Sequence, residues 1–149
     1  MRIIRIILGL LVGFAVGVIG TIILTDLSIT LPVVKSFYHW FGRVTNEKAE
    51  GGIRLFCLLI CLPIASFLAG FFSAVITRFR EVTIAIVVGI ALVLFDIIIF
   101  SRVAGLMPSA RCYWLNLFVE WLLCIVFAVL GGLLAKIIRL KYSNTSHND

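Results

Sequence analysis

The chain has 149 residues, of which 62% are hydrophobic and 13% are charged. Soluble domains average about 45–50% apolar and about 25% charged residues. A chain of this length has too few polar residues to cover the surface of a water-soluble fold, and it is too apolar to be disordered. We therefore expect an integral membrane protein with a single domain.

Four apolar segments are long enough to cross a bilayer as helices, at 6–25, 55–77, 82–101 and 112–138. Apolar and polar residues do not alternate with the period of two that strands require. The predicted fold is an all-α integral membrane protein with four transmembrane helices in a compact antiparallel bundle. Residues 1–142 form this single domain, and 143–149 are predicted to be a disordered polar tail.

The first outer loop, 26–54, is long enough to contain a helix of its own. Pro32 suits a helix start because its missing N–H is not needed there. On a helical wheel the polar residues Lys35, His39 and Arg43 lie opposite an apolar face formed by Val33, Val34, Phe37, Trp40, Phe41 and Val44. This pattern predicts an amphipathic helix on the membrane surface, followed by a return to the bilayer near Gly51–Gly52.

The net charge of +6 comes from Lys and Arg residues at the ends of the apolar runs, where they hold helices at the headgroups. No basic cluster is interleaved with aromatic residues, so we expect no nucleic-acid binding. Seven cations lie in two short tails and the tight turn 78–81, whereas six are spread over two longer loops. This density assigns both termini to the cytoplasm, and the short turn makes the second and third helices antiparallel neighbours.

The layout combines a glycine-spaced first helix, a long first outer loop and a last helix rich in small residues. It is similar to that of small four-span proteins of the bacterial inner membrane. These features are generic to helix packing, so they identify no family and carry over no functional residue. The expected location is the bacterial inner membrane.

Small residues recur at a spacing of four in the spans, which allows helices to approach closely in lipid. The candidate packing residues are Gly9, Gly13, Gly17, Ala65, Ala69, Gly89, Ala128 and Gly132. The pattern indicates packing within the chain and leaves self-association through the first helix open. Pro63 interrupts the second span and predicts a kink there, which is either static or a hinge.

Two acids, Asp96 and Glu120, lie inside spans, where a charged side chain costs about 2.5–3.5 kcal/mol at the bilayer centre. Both lie on small-residue faces and are predicted to point inward at a similar level, nearer the outer side. Arg54, Arg102 and Arg111 enter the membrane near that level and complete a candidate intramembrane polar site. The acids serve there either as structural glue or as a working site for a proton, an ion or a partner's charge.

Catalytic and metal-binding patterns are absent from the sequence. The two histidines, His39 and His147, are far from the intramembrane acids in sequence, and the four cysteines have no zinc spacing. We therefore expect no enzyme activity, no metal and no cofactor. The leading hypothesis is binding to a membrane partner, as an accessory subunit or an immunity-type protein. A small transporter, or an ion- or proton-conducting homo-oligomer that uses the intramembrane carboxylates, is the alternative.

Overall fold

A computed structural model of the chain describes residues 2–45, 60–78, 80–103 and 110–145. Within these residues there are no strands, and the five helices are α1 (Arg2–Thr30), α2 (Pro32–Thr45), α3 (Leu62–Thr77), α4 (Glu81–Val103) and α5 (Ala110–Thr145). The prediction of an all-helical protein is confirmed. The predicted return of the chain near Gly51–Gly52 lies outside the described residues.

Three helices are long and apolar enough to cross a membrane. Their apolar segments cover Arg2–Leu27, Glu81–Ile98 and Phe118–Lys141. The apolar helix α3 has 16 residues, which span about 24 Å at a rise of 1.5 Å per residue, against a hydrocarbon core of about 30 Å. The second predicted span, 55–77, is described only from residue 60 onward.

The long helices extend past the predicted spans. α1 covers Arg2–Thr30 instead of 6–25, and α5 continues to Thr145 instead of ending at 138. The first three residues of the predicted disordered tail, 143–145, are therefore helical, and 146–149 lie outside the described residues. Hydropathy marks only the part of a helix that fits the hydrocarbon, whereas backbone hydrogen bonding continues beyond it.

The amphipathic helix α2 begins at Pro32, as predicted, but no loop separates it from α1. Leu31 is the only residue between the two helices, and its N–H donates to the Leu27 carbonyl at 3.0 Å. The Lys35 N–H donates in turn to the Leu31 carbonyl at 3.1 Å. Because Pro32 has no N–H, the ladder lacks a bond there. α2 is thus a continuation of α1 beyond a break at proline.

The helix α3 lies at the centre of the bundle and packs against α1, α4 and α5. Two rows of small residues run along it, each with a spacing of four. The first row is Ala65, Ala69, Ser73 and Thr77, the second is Ser66, Gly70 and Ala74, and all seven are buried. Small residues on two sides allow two neighbouring helices to approach the same backbone.

The first row faces α1. A methyl group added at Gly13 would stand 2.7 Å from Ser73 Cβ, which is closer than real Cβ contacts. Further along, a methyl group at Gly20 would stand 3.5 Å from Ala65 Cβ, at an ordinary van der Waals distance. The contact between α1 and α3 therefore loosens toward Ala65.

The second row faces α5, and here backbone meets backbone. A methyl group at Gly70 would overlap the Ala128 carbonyl, and one at Gly131 would overlap the Phe67 carbonyl. Neither glycine was among the predicted packing residues, because the prediction took a single stripe for each helix. A helix packed on two sides needs a second stripe.

All the predicted packing residues lie at helix–helix contacts in the structure. Between α4 and α5, a methyl group at Gly89 would stand 3.2 Å from Ala128 Cβ, and one at Gly132 would stand 2.6 Å from Ala85 Cβ. The full set is Gly9, Gly13, Gly17, Ala65, Ala69, Gly89, Ala128 and Gly132.

Pro63 lies in the first turn of α3, directly after a π-helical turn at Ile60 and Cys61. The backbone before Pro63 is already helical, since Cys61 has right-handed helical angles (φ −66°, ψ −46°). The kink at Pro63, static or a hinge, stays a prediction.

The turn between α3 and α4 is tied to α5. Arg78 ends α3 in the left-handed conformation (φ 50°), and its N–H donates to the Ala74 carbonyl at 3.1 Å. The Arg139 guanidinium of α5 donates to the Arg78 carbonyl and forms an ion pair with the Glu81 carboxylate. The Glu81 side chain is only 6% exposed, so the pair holds a buried acid at this end of the bundle.

We expect Gly70→Ala to lower the free energy of unfolding by about 1–3 kcal/mol, because the new methyl group overlaps backbone that cannot rotate away. Denaturant unfolding in detergent measures the change. Gly20→Ala is the matched control, since its methyl group meets an ordinary contact and alanine favours the helix. Equal stability of the two variants would contradict the close approach of α3 and α5.

A double-mutant cycle with Glu81→Gln and Arg139→Gln should give a coupling free energy of about 0.5–2 kcal/mol, reduced by the half-exposed arginine. The same cycle with Lys136→Gln in place of Arg139→Gln serves as the control, since Lys136 is an exposed cation on the same helix. A coupling no larger than that of the control would show that the ion pair does not fix α5 to the turn.

Candidate functional site

A cavity of about 250 Å³ lies between α1, α3, α4 and α5, beyond the point where α1 and α3 diverge. Most of its wall is apolar, with a few polar groups. The lining residues are Val18, Thr21, Ile22, Leu62, Ser66, Leu92, Phe95, Asp96 and Cys124. Ile22 lines the cavity and is still 62% exposed, so the mouth opens beside the outward face of α1.

The core beneath the cavity is tightly packed. Ala69, Val88 and Ala128 are each at most 1% exposed. Leu92 forms the floor, where a methyl group added at Gly17 would stand 2.7 Å from its Cδ2 atom. The cavity therefore ends on a filled core on the side of the α3–α4 turn.

One wall is fixed by an aromatic contact. The rings of Phe14 on α1 and Phe95 on α4 meet edge to face, with centroids 5.4 Å apart and an interplanar angle of 88°. Such a pair adds about 0.5–1.5 kcal/mol beyond the area it buries. Asp96 follows Phe95 in the chain, so this contact also fixes the part of α4 that carries Asp96.

Polar groups from several helices meet around Cys124. The Ser66 hydroxyl of α3 lies beside the Cys124 thiol, and the carboxyl groups of Asp96 and Glu120 lie close enough for their charges to act on it. The Thr21 hydroxyl donates to the Gly17 carbonyl at 2.8 Å, so its donor is satisfied within its own helix. Each of α3, α4 and α5 thus contributes one polar side chain to a mostly apolar wall.

The structure brings together two of the five residues predicted for the polar site. Asp96 lines the cavity, and Glu120 lies half-buried on α5, one turn before Cys124. Arg54 lies outside the described residues, and Arg102 and Arg111 belong to α4 and α5 with side chains outside the described part.

Sequence reasoning did not assign Thr21, Ser66 and Cys124 to the site. Thr21 and Cys124 lie on small-residue stripes that were interpreted as packing only. Ser66 belongs to the second row of α3, and its place four residues before Gly70 and eight before Ala74 was the signal that could have found it.

The helix α2 leaves apolar side chains uncovered. Val33 and Trp40 are 78% and 59% exposed, and among the described helices α2 makes its main contact with α1. The predicted polar residues Lys35, His39 and Arg43 are exposed as well. The side chains of Phe41 and Val44, also assigned to the apolar face, lie outside the described part.

The described residues contain no group of three or more His, Cys, Asp and Glu that could hold a metal ion. His39, the histidine within the described ranges, is exposed on α2 and does not line the cavity. The cavity therefore offers a carboxyl, two hydroxyls and a thiol on an apolar wall, which is a set of groups suited to binding.

No family model, no curated protein and no solved structure matches this chain.

Proposed function

We propose that the chain is a multi-pass protein of the bacterial inner membrane with four spans and both termini in the cytoplasm. Three long apolar helices support the membrane location. In the sequence, the apolar run that contains α3 begins at residue 55. It covers 23 residues, 55–77, which is long enough for a fourth span. The dense cations at the start of α1, the α3–α4 turn and the end of α5 support the orientation.

Cysteine labelling of intact cells tests this orientation. A membrane-impermeant maleimide should label Arg43→Cys on α2 and should label Lys141→Cys on α5 only after the cells are permeabilised. The parent chain, with its native cysteines, is the control. Labelling of Lys141→Cys alone in intact cells would contradict the proposed orientation.

We further propose that the protein is not an enzyme and acts by binding a membrane protein partner through the cavity at Asp96. The cavity carries this proposal. Its volume of about 250 Å³ lies below the roughly 300–1,000 Å³ of pockets for drug-sized ligands. It is suited to a single long side chain from a neighbouring transmembrane helix. A carboxyl on a mostly apolar wall selects a cationic or hydrogen-bond-donating side chain, because acids within a membrane are stabilised by such pairing.

The exposed apolar residues of α2 also support binding to a partner. Val33 and Trp40 lie on the segment that continues α1 beyond its apolar part. There α2 is placed to lie against lipid headgroups or the extramembrane part of a partner. An accessory subunit and an immunity-type protein both act through such contacts.

A small transporter, or an ion- or proton-conducting homo-oligomer, is the second candidate, favoured by the convergence of Asp96 and Glu120 near Cys124. The filled core at Ala69, Val88 and Ala128 opposes conduction through a single copy. Conduction would therefore require a path between copies.

A photo-crosslinking amino acid at Ile22 tests partner binding in native membranes. Leu11 is the matched control, because it lies three helical turns away on the same face of α1 and is equally exposed, at 63% against 62%. We expect a discrete cross-linked protein from Ile22 and none from Leu11. A product with twice the mass of the chain would identify a homo-oligomer, and lipid adducts alone would contradict the proposal.

Asp96→Asn should reduce the Ile22 cross-link about tenfold, since it keeps the shape of the side chain and removes the charge that a partner's cation would pair with. Asp26→Asn, which changes an exposed acid on α1 outside the cavity, should leave the cross-link unchanged. Equal cross-linking in both variants would show that the carboxyl at Asp96 does not select the partner.

A further inference from the structure

The helix α2 begins close to the point where α1 leaves the hydrocarbon part of the membrane. The apolar segment of α1 ends at Leu27, and α2 begins five residues further on, at Pro32. Five helical residues rise about 7.5 Å, which is comparable to the thickness of the headgroup layer on one side of a bilayer. The start of α2 is therefore held at the level of the lipid headgroups.

One side of α2 presents apolar side chains outward. Val33, Phe37 and Trp40 are 78%, 38% and 59% exposed, and at 100° per residue they lie within about 60° of one another around the helix. The rings of Phe37 and Trp40 are in contact, with centroids 6.0 Å apart. Tryptophan is enriched where headgroups meet acyl chains, because its ring is apolar and its N–H is polar. This side of α2 is suited to the boundary between headgroups and acyl chains.

A different side of α2 carries its cations. Lys35, His39 and Arg43 recur at a spacing of four, and the structure leaves all three side chains exposed. The 14 residues of α2 include no acid. Exposed lysine and arginine beside an apolar face are typical of helices that bind anionic lipid. The charge of α2 is thus complementary to an anionic headgroup layer.

Position and charge favour the bilayer surface over a protein partner as the occupant of the exposed side of α2. A separate protein loses translational and rotational freedom when it binds. The bilayer surface, in contrast, is kept next to α2 by the membrane-crossing helix α1, so its effective concentration is high. A layer of anionic lipids supplies both the acyl boundary for the apolar side chains and the phosphate groups for the cations.

We propose that α2 docks on a membrane surface that contains anionic phospholipids. Val33 and Trp40 lie at the boundary with the acyl chains, and Lys35 and Arg43 lie among the phosphate groups. The proposal depends on the membrane location of the chain and does not depend on the binding of a partner at the Asp96 cavity.

Photo-crosslinking identifies the lipid next to α2. The full chain is purified and reconstituted in vesicles of equimolar dioleoylphosphatidylcholine and dioleoylphosphatidylglycerol, at about 0.15 M salt, where long-range electrostatics are screened. A photo-reactive amino acid replaces either Val33 or, as the reference position, Leu11 in the apolar segment of α1. Because the two lipids have the same acyl chains, Leu11 reports their bulk ratio.

Mass spectrometry gives the ratio of phosphatidylglycerol to phosphatidylcholine adducts at each position. We expect this ratio to be about fivefold higher at Val33 than at Leu11, which is the factor that one lysine or arginine near an anionic surface gives.

Two double variants test the role of charge. Lys35→Gln with Arg43→Gln removes both permanent charges of α2, and glutamine keeps a high helix propensity. The adduct ratio at Val33 should then fall to that of the reference position. Arg80→Gln with Lys136→Gln is the matched control, because it removes two charges from exposed side chains outside α2. The control should leave the ratio at Val33 unchanged.

Equal adduct ratios at Val33 and Leu11 would overturn the proposal, as would enrichment that persists without Lys35 and Arg43 or disappears in both double variants. A product at Val33 with twice the mass of the chain would identify a second copy as the occupant and would also overturn it. The purified chain is tested without a partner, so the result is independent of the cross-link from Ile22 in native membranes.

Discussion

Close backbone contact on two sides of α3 is the constraint on which the rest of the structure depends. In lipid there is little hydrophobic gain when helices meet, so association relies on dispersion and on close approach. Gly70 and Gly131 allow this approach between α3 and α5, because at each position even a methyl group would overlap a backbone carbonyl. On the other side of α3, the row of Ala65, Ala69, Ser73 and Thr77 allows α1 to approach closely. The most central helix is consequently built from alanine, glycine and serine on the faces that pack.

The cavity is a consequence of where this close contact ends. Between Gly13 and Gly20 the space for an added methyl group increases from 2.7 to 3.5 Å, so α1 moves away from α3. Leu92 and the Phe14–Phe95 pair fill the gap at first, and beyond them it remains open. The two ends of the bundle differ accordingly. The end that contains the α3–α4 turn is basic and carries the Arg139–Glu81 pair, whereas the looser end contains Asp96 and Glu120.

Much of the fold could be predicted from the sequence, because apolar length and small-residue spacing are local properties. The start of α2 at Pro32 was predictable since proline is favoured in a first helical turn. The continuity of α1 into α2 was not, because hydropathy falls at Asp26 while backbone hydrogen bonding continues. Gly70 was missed because the neighbours of a helix on each side are decided by tertiary packing. The polar site was predicted through Asp96 and Glu120, whereas Ser66 entered it only through contact across helices.

The position of the cavity also determines from which side it can be filled. Ala69, Val88 and Ala128 close it below, and Ile22 at its mouth remains more than half exposed on the outward face of α1. An occupant therefore enters from the side, past Ile22, or from the end of the bundle that carries Asp96 and Glu120. A hydrated ion would lose most of its water on the lateral route without the coordination that offsets the loss. A transmembrane helix moves in that plane and brings its polar side chain already shielded by its own apolar surface. Under the proposal of a protein partner, such a helix fills the cavity from the side that the packed floor leaves open.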